Sequence, residues 1–127
     1  MTTFNVNQTT DNGKGDTAGT LSNAILQANN QAGDDQIVLD NDVRLTGAMQ
    51  QLISSNISIV GNNHKLSGDV NNNATVDAGD VRPLFIYSGT VGISDLTITN
   101  GLAQGDKGNV RSTMFENFNY KDRKSVV

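Results

Sequence analysis

The aliphatic residues of this chain arrive in short runs: Phe4-Asn-Val6, Ile37-Val-Leu39, Val43-Arg-Leu45, Leu52-Ile53, Ile57-Ser-Ile-Val60, Leu66, Leu84-Phe-Ile-Tyr87, Val91-Gly-Ile93 and Leu96-Thr-Ile-Thr99. Gly, Asn or Asp punctuates nearly every gap. Ile37 and Ile57 are 20 residues apart, Ile59 and Ile86 are 27 apart, and the second gap holds an extra polar stretch. Strands this short, recurring at a roughly 20–25-residue period, fit the rungs of a solenoid better than a sandwich, whose strands are usually longer. Asn56, Asn62 and Asn100 fall at expected turns, where a left-handed backbone is tolerated and stacked amides could form a ladder.

One segment departs from the strand pattern. Leu21, Ala24, Ile25 and Ala28 recur at i, i+3, i+4 and i+7, the apolar face of a helix. Thr20 is placed to cap it, and Asn29, Asn30 and Gly33 to end it, so a helix is expected over 20–30. Burying Leu21 and Ile25 is worth roughly 1.5–3 kcal/mol each, enough to make the helix a lid over something apolar.

The extra polar stretch, Gly68 to Asp80, carries the clearest chemistry. Counted from Asp69, side-chain oxygens stand at Asp69, Asn71, Asn73, Asp77 and Asp80, positions 1, 3, 5, 9 and 12 of a twelve-residue loop over 69–80. Thr75 at position 7 can add its backbone carbonyl. Ca²⁺ takes six to eight oxygens at about 2.3–2.6 Å, and this spacing lets one short loop wrap it. The pattern resembles the calcium loop of dockerin modules and, more loosely, an EF-hand. It differs at position 6, where Ala74 replaces glycine at a cost of roughly 1 kcal/mol if the turn needs positive φ. No helix is expected directly after the loop, because Arg82-Pro83 leads into Leu84-Phe-Ile-Tyr87. The plain alternative is an Asn/Asp turn without an ion.

Three strings carry a wider resemblance: Thr20-Leu-Ser-Asn-Ala-Ile-Leu-Gln-Ala-Asn29, Gly33-Asp-Asp-Gln-Ile-Val-Leu39 and Ile57-Ser-Ile-Val-Gly61. With Val91 to Gly101, they look like the N-terminal cap and first coils of bacterial right-handed parallel β-helix proteins of the adhesin-like and polymorphic outer-membrane type. The resemblance covers about residues 3–108. It implies an all-β fold, a right-handed parallel β-helix closed at its N-terminal end by the capping α-helix. It also implies an extracellular or cell-surface setting, and further coils where this chain ends. A carbohydrate or cell-surface ligand is expected on the same basis. Some β-helix relatives are calcium-dependent carbohydrate-active enzymes. That makes a carbohydrate-active enzyme, or a calcium-dependent ester or lactone hydrolase, the alternative to a structural or adhesive module.

Composition narrows the remaining choices. Residues 1–108 carry five basic side chains against eleven Asp, a net of −6, whereas residues 109–127 carry four against two, a net of +2. The single Glu and half the aromatics lie in that atypical tail, as if it came from different sequence than the body. With no basic stripe, nucleic acid is not expected as a partner. Absence of cysteine excludes a disulfide framework and a zinc–thiolate site. No apolar run approaches the roughly 18 residues of a membrane span, and the N-terminus lacks a basic-then-apolar signal. Export would therefore rest on something not present in this chain.

A solenoid ended after a few rungs exposes strand edges and an apolar cross-section. Met114, Phe115, Phe118 and Tyr120 of the tail are expected to fold over it, or a second copy to pack against it as a homodimer. Catalytic signals are sparse. His64 is the single histidine and could serve as a base beside the loop, with Asp69 five residues on, but the favoured reading is an exposed turn histidine. No nucleophile elbow or phosphate loop is present.

Overall fold

The computed structural model describes residues 1–75, 79–105, 108–121 and 124–126. Strands dominate, and one short helix interrupts them. β1 (Thr2–Val6), β2 (Thr10–Asp11), α1 (Leu21–Asn29), β3 (Asp35–Leu39) and β4 (Val43–Leu45) come first. β5 (Ile57–Ser67), β6 (Leu84–Ile86), β7 (Thr90–Gly105), β8 (Gly108–Lys121) and β9 (Lys124–Val126) follow.

The main sheet is parallel through β1, β3, β5 and β7, and it curls because β5 serves two neighbours. The first half of β5 pairs with β3, Ile37 opposite Ile59, and its second half pairs with β4, Val43 opposite Leu66. β7 follows β5 through both halves, with the register slipping between Val60 and His64. The corner is made by Gly61, Asn62 and Asn63, the two asparagines in the left-handed region at φ 52° and 64°. Gly61 is required there, since a Cβ would run into the Asp95 carbonyl of the next strand. Ile57-Ser-Ile-Val60 and Leu66 thus belong to one bent strand, as do Val91–Ile93 and Leu96–Thr99.

Stacking across the parallel strands accounts for the apolar pattern. Phe4, Ile37, Ile59 and Ile93 lie in register on four successive strands, as do Val43, Leu66 and Ile98 on three. Ile37, Ile59, Leu66 and Ile98 are at most 1% exposed. Each is worth about 1.5–3 kcal/mol of burial. The period differs from the expected one in detail. Ile59 stacks on Ile93, and Ile86 bridges to Ile53. The spacing between stacked strands that enclose an insertion, the helix in one case and the oxygen-rich loop in the other, is longer by about its length. Leu52 is 39% exposed and only Ile53 of that pair enters the core.

α1 lies against β1 and β3. Thr20 caps it as expected, its Oγ1 accepting the Asn23 N–H at 3.2 Å, and Leu21, Ala24, Ile25 and Ala28 are buried. Asp11 completes the seat. Its carboxylate, 1% exposed, accepts the Ser22 N–H at 2.7 Å, the Ser22 hydroxyl at 2.6 Å and the Gly13 N–H at 2.8 Å. An anion at a helix N-terminus meets both free N–H groups and the positive end of the dipole. At the other end Asn29 donates to the Leu52 carbonyl at 2.7 Å and accepts the Ser54 N–H at 3.0 Å.

The tail does not leave the strand edge of β7 open. β8 pairs antiparallel with β7 from Thr90 opposite Lys121 to Gly105 opposite Gly108, and β9 pairs antiparallel with β6. The side chains of Met114, Phe115, Phe118 and Tyr120, expected to cover the apolar end, lie outside the described ones. No helix among the described residues is long and apolar enough to cross a membrane.

Candidate metal centre

The oxygen-rich loop is a closed excursion between β5 and β6. Its neck is tied by the Val81 N–H donating to the Gly68 carbonyl at 3.0 Å, while the Gly68 N–H donates to the Thr99 carbonyl at 3.1 Å. Gly68 sits so close to Val81 and Gly101 that a Cβ would strike the Val81 carbonyl. From the adjacent strand β4, Arg44 Nη1 donates to the Val70 carbonyl at 2.8 Å and to the Asp69 carbonyl at 3.3 Å. The loop's entry is thereby fastened to β4.

Within the loop Asp69 is the hub. It is 4% exposed, and its Oδ1 accepts the Asn73 N–H at 3.2 Å while Oδ2 accepts the Ala74 N–H at 2.6 Å. The Asn72 N–H donates to the Asp69 carbonyl at 3.2 Å. To wrap the carboxylate this tightly the chain turns left-handed twice, at Asn72 (φ 56°) and Ala74 (φ 60°). Position 6 does need positive φ, and alanine occupies it. Asn73 Oδ1 accepts the Thr75 N–H at 2.9 Å, so one expected ligand oxygen also serves the loop's own backbone. At the loop's far end Asp80 is 6% exposed.

The six expected ligands are therefore placed unevenly. Asp69 and Asp80 are buried at the two ends, and Asn71, Asn73 and Thr75 lie exposed on the turn. Asp77 lies outside the described residues. Among the described residues, no three His, Asp or Glu side chains converge to hold a metal ion. The loop's third carboxylate is not among those residues.

Beside the loop runs a groove of about 780 Å³ along the outer face of β4, β5 and β7, bounded by Arg44, His64, Lys65, Asp69, Thr97 and Thr99. His64, the weak candidate for a base, and Asp69 share this groove. His64 Nδ1 stands 3.2 Å from Asp42 Oδ1, the oxygen that also accepts the Lys65 N–H at 2.9 Å. This His–Asp contact was missed in the sequence, because it joins residues 22 apart that only the β4–β5 pairing brings together. The expected amide ladder is not formed. Asn62 and Asn100 do turn left-handed, at φ 52° and 53°, but the Asn62 amide donates to the Leu39 carbonyl and Asn56 Oδ1 accepts the Thr90 N–H.

Compared with family models, curated proteins and solved structures, the chain matches none.

Proposed function

We propose that this chain is a calcium-stabilised structural or adhesive module, a short right-handed parallel β-helix of an extracellular or cell-surface protein. Asp69, Asn71, Asn73, Asp77 and Asp80 would hold the ion with the Thr75 carbonyl. The bound ion would offset the repulsion of three carboxylates on one short loop. The observation that carries this reading is Asp69. Its carboxylate is buried, wrapped by the N–H groups of Asn73 and Ala74, and fixed through its own carbonyl by Arg44. An acceptor held this way is pre-positioned, so less ordering is left to do when an ion arrives.

Thermal melting with and without Ca²⁺ tests it. A ligand at a hundred times its Kd adds about 2.7 kcal/mol to the folded state. Asp77→Ala and Asp80→Ala should each abolish the gain, and a melting curve that calcium leaves unchanged in the parent chain overturns the reading. The proposal includes a homodimer, since β8 presents a new outer strand edge in place of the one it covers. Light scattering that finds monomer alone removes that part.

A second reading, a calcium-dependent ester or lactone hydrolase or a carbohydrate-active enzyme, draws on the His64–Asp42 contact inside the groove. Asp42 would orient the imidazole and His64 would move a proton at Nε2. It requires turnover that His64→Ala removes without changing the melting curve.

A further inference from the structure

We infer that the groove on the outer face of β4, β5 and β7 binds a carboxylate-bearing oligosaccharide, with Lys65 and the remaining guanidinium donors of Arg44 meeting its acid groups. The inference goes beyond the calcium reading and stands on sheet residues, so it does not need the ion.

The groove concentrates what the rest of the body lacks. Arg44 and Lys65 are two of only five basic residues in 1–108, a segment of net charge −6, and they face the same cavity. They lie on adjacent strands. Arg44 is in register with Ser67, and Ser67 with Thr99, while Lys65 is in register with Thr97. Two polar rows thus run across the strands, about 7 Å apart along each strand, the Arg44 row about 10 Å long across three strands and the Lys65 row about 5 Å across two. Arg44 uses Nη1 on the loop carbonyls, leaving other guanidinium N–H groups of its fork. Lys65 is exposed and forms no salt bridge among the described residues.

The remaining lining selects the class of anion. Thr9, Ser67, Thr97 and Thr99 present hydroxyls, and Asn41, Asn72 and Asn100 present amides. These groups both donate and accept, which matches a polyol and penalises an apolar ligand that would strand them. A cavity of about 780 Å³ is far larger than an inorganic anion needs, and it falls in the range of roughly 300–1,000 Å³ typical of organic ligands. Asp42 and Asp69 on the same walls disfavour a polyanion as densely charged as a polyphosphate. A peptide would gain little, because the groove lies on a sheet face whose backbone groups are committed to strand pairing, with no edge to extend. Among the described residues no Phe, Tyr or Trp ring lines the groove, so binding rests mainly on charge and hydrogen bonds and should weaken with salt.

Calorimetric titration of the full chain with tetragalacturonate, maltotetraose, tetraglutamate and inorganic phosphate tests the assignment. EDTA throughout removes any calcium bridge, so a failed ion reading leaves the result intact. Tetragalacturonate should bind, and Lys65→Met should weaken it at least about fivefold. Thr97→Val should weaken it about threefold. Thr3→Val, on the outward face of β1, should change nothing, and all three variants should keep the parent melting curve. Absence of tetragalacturonate binding, maltotetraose or tetraglutamate binding as tightly, phosphate competing it away at equal concentration, or affinity indifferent to Lys65→Met overturns the inference.

Discussion

Ala74→Gly is the most direct probe of the loop. Ala74 sits at φ 60°, with its N–H given to Asp69 Oδ2 at 2.6 Å. A left-handed backbone costs a residue with a Cβ about 1–2 kcal/mol. Glycine removes that cost, and its extra freedom in the unfolded chain takes back about 0.4–1 kcal/mol. The net expectation is a gain of about 0.5–1 kcal/mol, or a melting temperature higher by about 2–4 °C. Where the gain appears is informative. If the turn is left-handed with and without the ion, stability rises equally in EDTA and in excess calcium. If the ion enforces it, stability in EDTA stays put and the calcium Kd falls about two- to fivefold. Asn72→Gly is the control. Asn72 has φ 56°, but asparagine visits this region readily, so its gain should be near zero. Urea melts in both conditions together with a calcium titration decide the matter. An Ala74→Gly protein no more stable in either condition, with unchanged affinity, refutes the argument that this turn is strained.

Three further outcomes follow from the surrounding contacts. Asp11→Ala leaves the buried N–H groups of Gly13 and Ser22 without their acceptor, at about 1–3 kcal/mol each. Urea denaturation should register a loss of about 3 kcal/mol or more, and Asp11→Asn a smaller one. Gly68→Ala drives a methyl into the Val81 carbonyl. It should cost about 1–3 kcal/mol and make the loop the first site of proteolytic nicking. Asp16 is exposed, and hydrogen bonds from Asn12 and then Thr17 hold its carboxyl below the usual carboxylate range. A lowered folded value stabilises above the unfolded pKa and loses that contribution as pH falls through the folded value. Asp16→Asn should therefore slightly lower stability at neutral pH, leave it unchanged in acid, and so flatten part of the loss below pH about 4.

Local chemistry was readable without a fold. The 3.6-residue spacing of Leu21, Ala24, Ile25 and Ala28 and the cap at Thr20 specified α1, because a helix satisfies its hydrogen bonds within one segment. The short aliphatic runs specified strands for the same kind of reason: each needs one apolar face. The twelve-residue oxygen spacing, and the strain of alanine at its sixth position, were equally local facts. Non-local pairing decided everything else. Stacking Ile59 on Ile93 required knowing how far each insertion lengthens the connection between paired strands. The role of Asp11 depended on the chain returning after β2 to place Ser22 of α1 beside it. Arg44 reads in the sequence as one more polar residue of an alternating strand, and only the parallel register sets it against the Asp69 and Val70 carbonyls, 25 and 26 residues away. The groove has the same origin: its walls come from separate strands, and residues that share no local motif acquire a common surface only when strands about 4.8 Å apart line up.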